Sequence, residues 1–297
     1  MLRPQRRRAV ATETASFGAG KRESHDATAF YRRRLLSHVA DPVSGDPQPP
    51  PAFILDSLFA KSSETMEEIP DDCVALMVTS PPYNVGKEYD DDLSLADYLD
   101  LLHRVLKETY RVLEPGGRVA VNVANLGRKP YLPLNHHVAG MLSDIGYLLR
   151  GEIVWLKASV AGGSCAWGSW RSAKNPTLRD VHEYVLVAGK GPYRRTRTGE
   201  DTITKDEFLE ATTSVWTIAP ASARRIGHPA PFPVELPRRL IELYTFRDDL
   251  VLDPFMGSGS TAVAAVETGR RFVGYDISAD YLDIARNRVA AARAAVL

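Results

Sequence analysis

Hydrophobic positions along this chain switch repeatedly between two periods. From residue 52 onward, short unbroken apolar runs alternate with longer stretches whose apolar residues recur every three or four positions. CVALMVTS (73–80) reads as a buried strand stopped by Pro81-Pro82. Leu95, Leu99, Leu102, Val105, Leu106 and Leu113 share one helical face, and the spacing predicts a helix closed by Gly116-Gly117. A strand at RVAVNVA (118–124) follows, then a helix over 134–146 and strands at EIVWLK (152–157) and EYVLVAG (183–189). After a less regular stretch come a helix at 233–244, strand LVLD (250–253), a helix at 260–268, strand RFVGYD (271–276) and a terminal helix at 278–295. FILDSLF (53–59) is expected to lead into a polar helical segment. Strands alternating with helices predict an α/β fold with a mostly parallel sheet, and no repeat of 20–50 residues is present.

Residues 1–51 lack such periodicity and end in DPVSGDPQPPP, which sustains neither helix nor central strand. They are expected to form a flexible basic, Pro-rich tail ahead of a single catalytic domain at 52–297. No basic start is followed by an apolar core of signal-peptide type, and VALMV is only strand-sized, so a cytoplasmic location without membrane spans is expected. Among 297 residues, 37 bases balance 37 acids, so bulk charge implies no polyanion partner. Distribution changes that picture. Residues 1–40 hold nine bases against three acids, and residues 157–197 hold eight against two. Two cysteines, Cys73 and Cys165, exclude a disulfide framework and a four-thiolate zinc site. His136-His137 lacks spaced acidic or thiol partners, so no metal site is expected, and Asp90-Asp91-Asp92 reads as a solvated loop.

Two motifs carry chemistry. Asp253-Pro254-Phe255-Met256-Gly257-Ser258-Gly259-Ser260-Thr261 lies between a predicted strand and a predicted helix, where glycines and a helix N-terminus let a ligand approach backbone N–H groups. Asp276, nineteen residues after Gly257, ends the next strand, where an acid accepts both ribose hydroxyls of a nucleotide. The pattern is neither the dinucleotide G-x-G-x-x-G nor a P-loop. Thr79-Ser80-Pro81-Pro82-Tyr83-Asn84 follows the first buried strand. It offers a hydroxyl, a rigidly held carbonyl and an aromatic ring, which suits a flat substrate bearing an NH₂ group, such as a base flipped from a duplex.

Together these motifs resemble the β-class, S-adenosylmethionine-dependent DNA amino-methyltransferases, in which the catalytic motif precedes the cofactor motif. The resemblance extends through EPGGR (114–118), EIVWLK and HPAPFPVELPRRLIELY (228–244). It implies a Rossmann-like methyltransferase sheet in permuted motif order. It also implies S-adenosyl-L-methionine as cofactor and double-stranded DNA with a flipped target base as substrate. A cognate restriction endonuclease is a partner such enzymes can have; the oligomeric state stays open. Ser80, Pro81, Pro82 and Tyr83 are the implied catalytic residues. Asp253, Phe255, Gly257, Ser258, Gly259 and Thr261 are implied around the methionine end of the cofactor, with Asp276 on its ribose. One departure is Phe232, where relatives with HPTQKP carry lysine.

SPPY, rather than DPPY, resembles the cytosine-N4 branch, with adenine-N6 methylation and an inactive DNA-binding relative as alternatives. Ring-carbon methylation needs a cysteine nucleophile, commonly after proline, and neither cysteine follows one. The family places target recognition between EIVWLK and HPAPFP. Residues 158–227 are therefore the candidate recognition insertion, with Trp170, Arg171, Lys174 and Arg179 as candidate DNA contacts.

Overall fold

A mixed eight-stranded sheet in the order β1-β8-β7-β2-β3-β5-β4-β6 forms the centre of the molecule. The computed structural model describes residues 45–82, 93–127, 130–157, 171–222, 226 and 232–296. All belong to one unit, Ala40–Leu297. The strands are β1 (Ser57–Ala60), β2 (Val74–Thr79), β3 (Leu113–Val123), β4 (Leu148–Lys157), β5 (His182–Gly189), β6 (Val215–Ile218), β7 (Leu250–Asp253) and β8 (Arg271–Asp276). Every neighbouring pair is parallel except β3–β5 and β5–β4, so β5 alone runs against the rest. The helices are α1 (Leu95–Val112), α2 (Leu134–Ile145), α3 (Lys205–Ala211), α4 (Glu235–Tyr244), α5 (Ser260–Glu267) and α6 (Ala279–Val296).

The apolar runs explain the middle of the sheet. Every residue of β2 and β7 is buried, as expected of parallel strands covered on both faces. On one face, Met77, Val119 and Val121 pack with Leu102 and Leu106 of α1 and Val138 of α2. On the other, Leu76, Val78 and Ala120 pack with Leu240 of α4, Ala262 of α5 and Leu282 of α6. The result is a helix–sheet–helix sandwich. From the adjacent strands β2 and β7 the chain departs in opposite directions, β2 through α1 to β3 and β7 through α5 to β8. Such a divergence opens a crevice beyond the carboxyl ends of the two strands.

Several local expectations are corrected. FILDSLF does not lead into a helix: a 3-10 turn at Ala52–Ile54 leads into β1, which pairs with β8. Asp56 turns the chain at φ 60°, and its carboxylate accepts from the Arg271 side chain and the Phe272 N–H, contacts supplied by residues more than 200 positions away. Gly116-Gly117 does not close α1, which ends at Val112 and continues directly into β3. At Gly116 (φ +81°) a Cβ would lie 2.6 Å from the Arg195 backbone, so the glycine admits a crossing chain. The irregular stretch contains α3, with its Thr204/Glu207 capping box, and β6, whose Trp216 is buried. Of residues 158–227, β5 and β6 thus belong to the sheet itself. Gln48, near the end of the expected tail, donates its N–H to the Asp72 carbonyl at 2.8 Å. The rest of that tail, through residue 44, lies outside the described residues, as do Tyr83, Asp90-Asp91-Asp92, Cys165 and Trp170. No described helix is long and apolar enough to cross a membrane.

At the amino ends of the central strands, Arg195 joins two buried carboxylates, Glu114 at 2.6 Å and Asp249 at 2.7 Å. Its removal takes the guanidinium from Asp249 and leaves Glu114 with Arg197 at 3.2 Å. Arg195→Ala is therefore expected to lower unfolding free energy by about 3–5 kcal/mol. Urea denaturation checks this, and a loss below about 1 kcal/mol, the worth of an exposed pair, would contradict the role assigned to the pair network.

Candidate active site

The crevice at the carboxyl ends is a cavity of about 840 Å³, within the usual range for small-molecule sites. Four strand ends wall it: Lys61 to Glu64 after β1, Ser80-Pro81-Pro82 after β2, Pro254 to Ser258 after β7 and Asp276 to Ser278 ending β8. Asp97, Leu101 and Arg104 of α1, Tyr281 of α6 and Phe232 complete much of the lining. Topology thus brings the two sequence motifs, more than 170 residues apart, from the adjacent strands β2 and β7 into the walls of one cavity.

Asp253 ties those walls together. The Thr79 hydroxyl donates to its Oδ1 and the Thr261 hydroxyl to its Oδ2, both at 2.6 Å. The Phe255 N–H adds a third bond at 3.1 Å. Asp253 is fully buried, and that burial pushes its carboxyl up to about 6 even though the three donors favour the charged form. Neither Asp253 nor Thr261 lines the cavity; both stand behind it and shape the loop that does. Gly259 is also absent from the lining. A Cβ there would lie 2.7 Å from the Ala285 Cβ, so this glycine lets α6 pack against the start of α5.

Phe255, Gly257 and Ser258 do line the cavity, as does Asp276. The Asp276 carboxylate receives the Gly257 N–H on Oδ2 and the Ser278 N–H on Oδ1, each at 2.8 Å. Desolvation pushes its pKa up, with those two bonds opposing the shift. A carboxylate has about four acceptor positions, so two backbone donors orient the group and leave capacity for ligand hydroxyls. Arg288, which carried no sequence signal, braces the loop by donating to the Ser258 carbonyl at 2.6 Å.

At the end of β2, the Tyr98 hydroxyl donates to the Pro82 carbonyl at 2.6 Å, pinning the diproline to α1. Asn122 Nδ2 donates to Ser80 Oγ at 3.3 Å. Phe232 is among the lining residues, and its carbonyl accepts from the Ser260 hydroxyl at 2.9 Å. Arg171, Lys174 and Arg179 are exposed and do not line the cavity. They precede the amino end of antiparallel β5, which lies at the same edge of the sheet as the carboxyl ends of β2 and β3. Cys73 sits at the opposite edge, before β2, and burial pushes its thiol up to about 12.

A DNA methylase family model, of the N6/N4 methyltransferase type, matches residues 74–287. The type II methyltransferase M.MthZI of Methanothermobacter thermautotrophicus is 30% identical over 270 residues, spanning 78% of this chain and 76% of its own length. Among solved structures, TTHA0409 of Thermus thermophilus in complex with S-adenosyl-L-methionine superposes with a TM-score of 0.63 at 28% identity, covering 80% of this chain and 95% of that one. The cytosine-N4-specific PvuII DNA methyltransferase shares the fold at 21% identity and a TM-score of 0.62, covering 78% and 85%. The cavity, its carboxylate at the end of β8 and its glycine-bearing loop suit that cofactor. The chain belongs to the N6/N4 DNA methylase family, whose members are S-adenosyl-L-methionine-dependent DNA methyltransferases.

Proposed function

We propose that this protein methylates the exocyclic N4 of cytosine in double-stranded DNA, at a base flipped out of the helix. The observation that carries the reading is that Ser80-Pro81-Pro82, the Phe255–Ser258 loop and Asp276 line one cavity. Serine rather than aspartate at position 80 supports cytosine; adenine N6 is the alternative within the same chemistry.

Asp276 is assigned to the ribose hydroxyls, and Phe255, Gly257 and Ser258 to the rest of the cofactor, with Asp253, Gly259 and Thr261 supporting that loop from behind. Bound there, S-adenosyl-L-methionine supplies an electrophilic methyl group on a sulfonium centre. Ser80 Oγ and the Pro81 carbonyl accept the amino hydrogens, which keeps the nitrogen lone pair directed at the methyl group. Pro81 and Pro82 restrict the backbone, and Tyr98 holds the Pro82 carbonyl, so orientation is set before the base arrives. Tyr83 is assigned to stacking on the base. Attack by the amino nitrogen requires no thiolate, and the buried Cys73 thiol stands far from the cavity at the other edge of the sheet. Arg171, Lys174 and Arg179 are assigned to DNA contact, since they precede the amino end of β5 at the cavity edge of the sheet, and Trp170 is assigned with them from the sequence.

Incubating the protein with unmodified DNA and isotopically labelled cofactor, then digesting to nucleosides for mass spectrometry, tests the reading. Labelled N4-methyl-2′-deoxycytidine is expected. N6-methyl-2′-deoxyadenosine would replace the base assignment, and 5-methyl-2′-deoxycytidine would overturn the mechanism.

The cofactor assignment is tested at Asp276. Its loss removes a charge-assisted hydrogen bond of about 1.5–3 kcal/mol, so Asp276→Ala is expected to raise the S-adenosyl-L-methionine Kd at least about ten-fold. Calorimetric titration of the folded variant checks this, and unchanged affinity would remove Asp276 from the site.

A further inference from the structure

The Ser80 hydroxyl joins a polar row formed with side chains of β3, β5 and β4. Thr79 on β2 pairs with Val121 on β3, which sets Ser80 beside Asn122. Across the β5–β4 pair, Glu183 stands opposite Trp155, with Lys157 two residues further along β4. Strand alternation puts Asn122 on the face of Ala120, Glu183 on that of Val185, and Lys157 on that of Trp155. Those three apolar neighbours belong to one core layer. The contacts follow the row: Asn122 Nδ2 donates to Ser80 Oγ at 3.3 Å and to Glu183 Oε2 at 2.6 Å, and Glu183 Oε1 meets Lys157 Nζ at 2.5 Å.

Asn122 and Glu183 are buried, at 1% and 7% exposure, on a face shared with the apolar Ala120 and Val185. Buried polar groups carry a desolvation cost that a Val or Leu would avoid. The chemistry of the row gives them a task. A carboxylate only accepts hydrogen bonds, so Glu183 dictates that the Asn122 amide presents nitrogen, not oxygen, toward Glu183 and Ser80. That nitrogen occupies one Ser80 lone pair and turns the hydroxyl hydrogen away from Asn122. A hydroxyl oxygen carries two lone pairs, so accepting from Asn122 is compatible with accepting an amino hydrogen as well.

We propose that Asn122 and Glu183 are positioning residues that set the donor–acceptor orientation of the Ser80 hydroxyl for the incoming amino group, with Lys157 holding Glu183 in place. The proposal rests on the amino-methylation reading above, and it assigns a role to the antiparallel strand β5, which brings Glu183 against Asn122.

A double-mutant cycle on the full chain separates positioning from simple support of the sheet. With labelled cofactor and unmodified DNA, Glu183→Gln is expected to lower kcat about ten-fold, while the cofactor Kd and the KM for DNA stay within about two-fold. In a Ser80→Ala background the same change is expected to alter kcat by less than about two-fold, because the group it acts through is gone. Asn122→Asp, which can only accept, is expected to cost about a hundred-fold in kcat. Combining it with Glu183→Gln lets the glutamine amide donate to the carboxylate introduced on β3. The pair is expected to regain thermal stability but not turnover, since the Ser80 hydroxyl would then donate to that same carboxylate. An equal loss from Glu183→Gln in both backgrounds, or parental turnover in the Asn122→Asp/Glu183→Gln pair, overturns the positioning role. A parent chain that transfers no methyl group to DNA overturns the underlying reading and this proposal with it.

Discussion

Two hydroxyl donors on a fully buried carboxylate hold the working edge of this protein together. Asp253 ends β7, Thr79 ends β2, and Thr261 opens α5; their two 2.6 Å bonds lock the strands at which the sheet diverges. The arrangement is costly, since burial pushes the carboxyl up to about 6 and so works against the charged form that the hydroxyls prefer. Its return is geometric. Ser80 follows Thr79 directly, and the loop from Phe255 to Ser258 begins two residues after Asp253, so both walls of the cavity are measured from one group.

The rest of the edge elaborates on that lock. Asp276 receives the Gly257 and Ser278 N–H groups, which joins the β8 end to the loop after β7. Arg288 reaches from α6 to the Ser258 carbonyl. Tyr98 reaches from α1 to Pro82. Each of these bonds links two elements, and together they orient the lining before any ligand enters. Preorganisation of this kind suits a reaction whose barrier is governed by the angle and distance between an amino nitrogen and a methyl group.

Much of this was legible in the sequence because the central strands are continuous apolar runs and the two motifs sit at their ends. β2, β7 and β8 all lie where periodicity puts them. What periodicity missed depends on distant partners. β1 is four residues long and exists through its pairing with β8 and the Asp56 contacts, neither of which is encoded nearby. Gly116-Gly117 resembles a helix stop in sequence, yet the actual constraint is the neighbouring Arg195 backbone, which a Cβ at Gly116 would meet at 2.6 Å. Within the site, the family resemblance implies Asp253, Gly259 and Thr261 around the cofactor, but a shared motif cannot tell a lining residue from one that supports the lining. Asn122 and Glu183 lie 61 residues apart and carry no local motif. Only the antiparallel insertion of β5 beside β3 brings them together.

The claim that a group outside the cavity sets both of its walls is tested most directly by Thr79→Val, which keeps the shape of the side chain and removes one donor from Asp253. Turnover per folded molecule and cofactor affinity, measured together with thermal stability, separate the two readings of this residue. The account predicts that turnover falls at least about ten-fold and that the cofactor Kd rises, although Thr79 lines no part of the cavity. A variant that loses stability while its folded fraction turns over and binds cofactor like the parent would contradict it.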